Sequence, residues 1–339
     1  VPFSKVGINN LYYARPPYFP NKNKMGFTKA ALVGASGLLG QAILRHLQNC
    51  TTSNFEITIL RRLDAGDKAV GQFDSNVHVK SIDYYNHDML VDALRGTEVI
   101  VSALNVAAAI QIDPLLLKAG REAGVKRIFP SEYTLDILHE AAVRFIGESD
   151  ARVRHARHFS SLLATDSISA TTIVSGMFMD FALRGHHGNY NPEKFEATLF
   201  DGGNVPATGC SSDFIAACVV SALQMAEDQT KNKRIHIAEV KYTGRQILEV
   251  LELETGSKFT VTQVPSSHLQ ENLALAKEQG LVREKFILPV MILNFAAVDE
   301  NGEPYGAGLL EDGLRWDGGG FLHQKRKTLV ELAHEALRA

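Results

Sequence analysis

The chain has 339 residues, 45% of them apolar and 22% charged, and a formal net charge of −3. So apolar and nearly neutral a chain excludes disorder; it offers no basic footprint for nucleic acid, no run of ~20 apolar residues to span a membrane and no leader-like apolar core in its first twenty residues. The composition predicts one large or two closely packed domains in a cytoplasmic protein, with neither membrane nor nucleic acid as partner.

Residues 1–25 hold four of the eleven prolines (Pro2, Pro16, Pro17, Pro20) and no periodic pattern, and read as an N-terminal extension. From Lys29 strands and helices alternate. Ala30–Val33 reads as a buried strand, Gly34 to Gly40 as a glycine turn and Gln41 to Gln48 as a helix. Further strands are predicted at 57–60, 77–82, 99–101, 127–130 and 171–174, with helices at 91–94, 114–123 and about 150–165 between them. Strand, helix, strand at this spacing means a parallel sheet covered on both faces, an α/β, Rossmann-type doubly wound fold. Past residue 176 the pattern loosens into Gly- and Asn-rich loops, with helices near 213–227, 244–255 and 267–279. A short strand near 234–238 would return to the main sheet. The predicted division is an extension (1–25), a dinucleotide-binding Rossmann domain (26–176) and a smaller C-terminal α+β substrate-binding region (177–339).

The sharpest local signal is Gly34-Ala35-Ser36-Gly37-Leu38-Leu39-Gly40, a G-x-x-G-x-x-G placed between a strand and a helix. The first glycine permits the tight turn, the second lets backbone approach a pyrophosphate, and the third lets helix and strand pack closely. The helix N-terminus then aims free N–H groups at the phosphates. After the second strand stand Arg61 and Arg62, where an NAD site would place an acid for the ribose 2′-hydroxyl. Guanidinium forks suit a 2′-phosphate, and Lys68 could add a further charge, so the expected cofactor is NADP(H). Ala103, Leu104 and Asn105 end the fourth strand, and Ser131 closes the fifth, along the edge where a dinucleotide would run. Glu132 and Tyr133 follow at the same edge and, with Met177, Phe178 and Met179 just past the sixth strand, are candidates for the substrate wall.

Together LVGASGLLGQAIL, the arginines after the second strand, KRIFPSEY (Lys126 to Tyr133) and TTIVSGMFMDFAL (Thr171 to Leu183) resemble the NmrA-like and isoflavone-reductase-like group of atypical short-chain dehydrogenases. The likeness runs from about Lys29 to Ala238 and is nearest in style to fungal members. It implies an NADP-binding Rossmann domain and a C-terminal domain that walls a pocket over the nicotinamide. It also implies one of two activities: reduction of phenylpropanoid- or isoflavone-type aromatic substrates, or non-catalytic sensing of NADP(H).

The Tyr-x-x-x-Lys pair of ordinary short-chain dehydrogenases is missing, since Ile137 stands four residues after Tyr133. Tyr190 and Lys194 have the spacing, but Pro192 lies between them in a loop. The reductases of the resembling group use a lysine in the helix before the sixth strand. Counted back without gaps from Thr171–Val174, its position falls on Arg157. Arginine is a poor proton donor, and histidine titrates in the useful range, so Arg157 is expected to stabilise an oxyanion and His158 (or His155) to supply the proton. No metal is expected, because His186 and His187 are adjacent with no carboxylate at ligand spacing, and Cys50, Cys210 and Cys218 form no C-x-x-C pair.

The sequence thus predicts an NADPH-dependent reductase acting on a small aromatic or conjugated carbonyl-type metabolite, with an NmrA-type redox sensor as the alternative. A sugar-nucleotide epimerase ranks third, because that chemistry leans on the missing tyrosine. A homodimer is left open.

Overall fold

The computed structural model describes residues 26–64, 74–162, 166–296 and 325–338. Residues 1–25 and Lys68 lie outside them. The glycine turn joins β1 (Lys29–Val33) to α1 (Leu38–Gln48), and β2 (Glu56–Arg62), β3 (Val77–Ile82), α2 (His87–Leu94), β4 (Val99–Ser102) and α3 (Val106–Ala123) follow. Next come β5 (Arg127–Phe129), α4 (Glu140–Ile146), α5 (Ala151–Ser160) and β6 (Ser169–Val174). Beyond them lie β7 (Met177–Phe178), α6 (Met179–Leu183), β8 (Tyr190–Asn191), β9 (Glu196–Phe200), β10 (Pro206–Cys210) and α7 (Ser212–Gln224). The chain closes with α8 (Glu227–Thr230), β11 (Lys233–His236), β12 (Val240–Thr243), α9 (Gly244–Thr255), β13 (Thr260–Val264), α10 (Ser266–Glu278), α11 (Val282–Phe295) and α12 (Leu329–Arg338). No helix among the described residues is long and apolar enough to cross a membrane.

Seven strands form one sheet in the order β11-β6-β5-β4-β1-β2-β3, and every pair in it is parallel. A parallel sheet is buried on both faces, which is why its strands read as nearly continuous apolar runs. Along β1, Ala30 and Leu32 join the layer under α1 and α7, while Ala31 and Val33 join the layer under α2, α3 and α5. The chain works outward from β1 to β3 and then crosses to β4. That reversal opens a crevice at the carboxyl ends of β1 and β4, where this architecture binds ligands.

One helix differs from its sequence reading. Pro114 reads as a helix start, yet α3 begins eight residues earlier, where the Asn105 side chain accepts from Ala108 N at 3.0 Å. The cap fixes the start, and the proline is tolerated inside. At the amino edge of β5, Arg127 is fully buried. It donates to Thr171 Oγ1 at 2.9 Å, Thr230 Oγ1 at 2.6 Å, the Glu227 carbonyl at 2.8 Å and Ser169 Oγ, and its charge sits 5.3 Å from the Phe27 ring centre. Burial lowers its pKa to about 10, so the clamp stays charged at neutral pH.

The remaining strands make two small sheets, β12-β10-β7 and β13-β9-β8. They share one apolar cluster with α4, α6, α9, α10, α11 and α12, distinct from the two layers on the main sheet.

Candidate functional site

The glycine turn has the geometry that its spacing predicts. Gly34 has φ +82°, and a Cβ there would meet the Ala103 carbonyl oxygen at 2.5 Å; a Cβ on Gly40 would meet the Gly34 oxygen at 2.0 Å. Both glycines are therefore demanded by the fold itself. Gly37 is not, for a Cβ on it would meet nothing closer than 3.4 Å. Gly37 is also the N-cap of α1, and no side chain caps that helix. An uncapped helix start with an open backbone in front of it fits a phosphate, and so this turn fits a pyrophosphate.

Arg61 and Arg62 close β2, one strand from the turn. Arg61 donates to Ser81 Oγ on β3 at 3.0 Å, and Arg62 lies exposed 3.5 Å from Asp64. Neither is tied to a buried acid, so both can turn to an anion at the edge. Ala103 packs against the same layer as Ala35 of the turn, while Leu104 packs against the opposite layer. The side chains of Asn105 and Ser131 are committed within the protein: Asn105 caps α3, and Ser131 Oγ donates to the Leu104 carbonyl at 2.7 Å. They hold the crevice floor in shape.

Sequence reasoning missed the group beneath that floor. Asp113, wholly buried on α3, accepts from Ser102 Oγ at 2.6 Å and Ser131 N at 2.8 Å, and pairs with His155 Nε2 at 3.1 Å. One carboxylate thereby ties β4, the β5 turn and α5 together. An acid directly before Pro114, set between apolar residues in the middle of α3, was the signal that could have found it.

Glu132 is 4% exposed. Its Oε1 accepts from Arg234 on β11 at 2.6 Å, the same guanidinium reaches Asp136 at 3.0 Å, and His236 Nε2 lies 2.9 Å from the other Asp136 oxygen. Burial pushes the Glu132 carboxyl up despite the arginine beside it. Burial opposes ionisation of Asp136 too, but the His236 and Arg234 bonds outweigh it and hold that carboxyl far below the usual range. Three side-chain atoms here are buried and unpartnered: Glu132 Oε2, Tyr133 Oη and Ser175 Oγ. Burial keeps the Tyr133 phenol protonated.

The expected catalytic pair is not brought to this edge. His155 faces inward to Asp113, and Arg157, about 200° further round α5, faces solvent. Arg157 is ion-paired with Glu148, itself exposed. His158 is exposed in the last turn of α5; partial burial and the charge of Arg121 lower its pKa. Arg121 belongs to the last turn of α3, at the edge opposite the glycine turn. Of the five wall candidates, Met177 (3% exposed) and Met179 (0%) are displaced into the core, and Glu132 and Tyr133 are buried as well. Alternation past β6 turns the two methionines inward and leaves Phe178 partly buried against the layer that holds Tyr133. A cavity of about 200 Å³ lies between His186–Gly188 and Glu284, Ile287 and Leu288 of α11. Among the described residues no group of three His, Cys, Asp or Glu side chains could hold a metal ion.

Residues 28–293 match the profile of the NmrA-like family. Among curated proteins the chain is 27% identical over 248 residues to the oxidoreductase aprR of Aspergillus flavus, covering 73% of this chain and 80% of that one. It is 23% identical to the isoflavone reductase homolog P3 of Arabidopsis thaliana over 255 residues, covering 73% and 81%. Among solved structures, AtPrR2 with NADP+ and (+)pinoresinol superposes with a TM-score of 0.69 at 19% identity, over 91% of this chain and 99% of that one. A ternary complex of leucoanthocyanidin reductase from Vitis vinifera gives 0.64 at 16% identity, over 92% and 100%. At these identities the structural likeness speaks for the fold.

Proposed function

The chain belongs to the NmrA-like family, and from that premise we propose that it is an NADPH-dependent reductase passing hydride to a small aromatic or conjugated carbonyl-type metabolite. The observation that carries this reading is Gly37, a glycine that the fold does not need, at the uncapped start of α1. When bound, NADPH supplies hydride from its nicotinamide ring. The chain's part is to hold and orient. The amides at the start of α1 take the pyrophosphate, Arg61 and Arg62 take the 2′-phosphate, and the floor braced by Asp113 fixes the crevice between them. Phe178 supplies apolar surface at the substrate side. Relatives named as an isoflavone reductase homolog and a phenylcoumaran benzylic ether reductase support the aromatic substrate class.

The test compares two glycines. Gly37→Ala leaves the unfolding midpoint unchanged and weakens NADPH binding by about 30-fold or more, ~2 kcal/mol. Gly40→Ala destabilises the fold by about 1–3 kcal/mol, because its Cβ has no room. Unimpaired NADPH binding by Gly37→Ala sinks the assignment of the turn.

A second reading, a non-catalytic sensor of the NADPH/NADP+ ratio, is favoured by α5. That helix carries no lysine, and its arginines are engaged: Arg152 by Asp150, Arg154 by the Ser149 carbonyl and Arg157 by Glu148. A sensor binds one redox form at least about tenfold more tightly, ~1.4 kcal/mol. Equal affinities remove its basis.

A further inference from the structure

The turn between α6 and β8 faces α11 across a cavity of about 200 Å³. Both walls are held in place by the fold. On the turn, the Gly188 amide donates to the Gly185 carbonyl at 3.0 Å. Tyr190, just past it, donates to the Gly244 carbonyl at 2.7 Å and sets its ring 6.4 Å from that of Phe295 at the end of α11. Gly188 has φ +83°, and a Cβ there would meet nothing within 4 Å. His186 and Gly188 are exposed, so the cavity opens to solvent on their side.

The lining is one-sided in its chemistry. Glu284, Ile287 and Leu288 stand on one face of α11, at i, i+3 and i+4. The helix dipole accounts for an acid in the first turn. Yet among the described residues the Glu284 carboxylate has no hydrogen bond or ion pair, and no lysine or arginine lines the cavity. On the turn, His187 Nε2 is buried without a partner, and so are both amide atoms of Asn189, two residues on. Native chains keep few such groups, and here they gather within three residues. Burial and the charge of His186 lower the His187 pKa, so at neutral pH the ring keeps a lone pair to offer. The last torsion of a histidine is broad and two-fold, which lets the ring turn Nε2 towards an occupant.

What fits this lining must donate. A hydroxyl has one proton to give, whereas a primary ammonium has three N–H donors and the charge that balances a carboxylate. Ile287 and Leu288 add an apolar wall. A cavity of ~150 Å³ holds benzene and drug-sized ligands take ~300 Å³ or more, so the occupant has about one ring or its aliphatic equivalent.

We propose that this cavity binds a small primary ammonium compound, its charged end between Glu284 and His187 and its apolar body against Ile287 and Leu288. The site is apart from the glycine turn and does not depend on the dinucleotide reading. Phe181 joins it to the substrate side, with its ring 5.2 Å from that of His186 and edge-on to Phe178 at 6.5 Å.

The experiment is calorimetric titration of the full chain with 2-phenylethylamine and with 2-phenylethanol, which carries a hydroxyl in place of the amine. The amine binds with a dissociation constant of about 1 mM or less, and the alcohol at least about tenfold more weakly. Glu284→Gln, an isosteric change, melts with the parent. It weakens the amine about tenfold and leaves the alcohol within about twofold. His187→Phe keeps a ring but removes the nitrogens, and weakens the amine about fivefold. Saturating NADPH leaves the amine affinity unchanged. Equal affinity for amine and alcohol overturns the ammonium assignment, as does an unchanged amine affinity in Glu284→Gln. No binding of either probe up to about 10 mM shows a cavity that takes water only, and overturns the site. Displacement of the amine by NADPH overturns its location.

Discussion

Arg234 offers the most demanding test of the buried charges beside the site. It bridges Glu132 at 2.6 Å and Asp136 at 3.0 Å, and in Arg234→Met both bonds go. Asp136 keeps His236 at 2.9 Å, so the loss falls mainly on Glu132, whose side chain is 3% exposed. Breaking a buried pair from one side costs ~3–5 kcal/mol, and the retained His236 contact argues for the lower end, about 3 kcal/mol at pH 8. The pH dependence has a definite sign. Glu132 holds its proton more tightly folded than unfolded, and more so without the arginine. The penalty is therefore small below the unfolded carboxyl pKa of ~4.3, grows as pH rises through the folded value, and then levels off. Urea unfolding of the parent and variant at several pH values between about 4.5 and 8 reads this directly. The double variant Arg234→Met/Glu132→Gln recovers most of the loss, since a neutral amide needs no counter-charge. A loss below ~1 kcal/mol at pH 8, or an equal loss at both pH limits, refutes the reasoning.

Other outcomes follow from the same geometry. Arg61→Glu raises the dissociation constant of NADPH about 30-fold or more while NADH changes little; fluorescence titration of both shows it, and parallel changes contradict the 2′-phosphate assignment. Arg157→Ala, a change at an exposed ion pair, leaves the melting midpoint and NADPH affinity as they were; a large loss of either contradicts its outward placement. Asp136 ionises far more readily folded than unfolded, so its share of stability is present above the ordinary carboxyl pKa of ~3.9 and is lost as pH falls below it. Asp136→Asn accordingly flattens the acid limb of a stability–pH curve. An unchanged limb removes Asp136 as its source.

The main sheet was legible because parallel strands buried on both faces leave apolar runs, and because glycines at 34, 37 and 40 interrupt them at a readable spacing. Two kinds of feature were not. Pro114 misled because a capping Asn105 upstream can start a helix that then absorbs the proline. Arg157 misled because position along a helix does not fix its face: His155, two residues earlier, takes the inward side on Asp113. Met177 and Met179 read as a wall, but the sequence does not say which side of a two-residue strand, or of the helix that follows it, faces the core. The Asp113 and Arg234 networks join residues 11 to 102 positions apart. No local pattern carries such contacts, and only the strand order brings them together.

A reductase of this kind must transfer hydride from NADPH bound at the glycine turn. NADPH deuterated at C4 on either face, incubated with the protein and a metabolite extract, tests it by mass spectrometry. Deuterium is expected from one face only, entering an aromatic or conjugated metabolite, with transfer by Gly37→Ala strongly reduced at NADPH concentrations that half-saturate the parent. No transfer by a parent chain that binds NADPH contradicts the reductase and leaves the sensor.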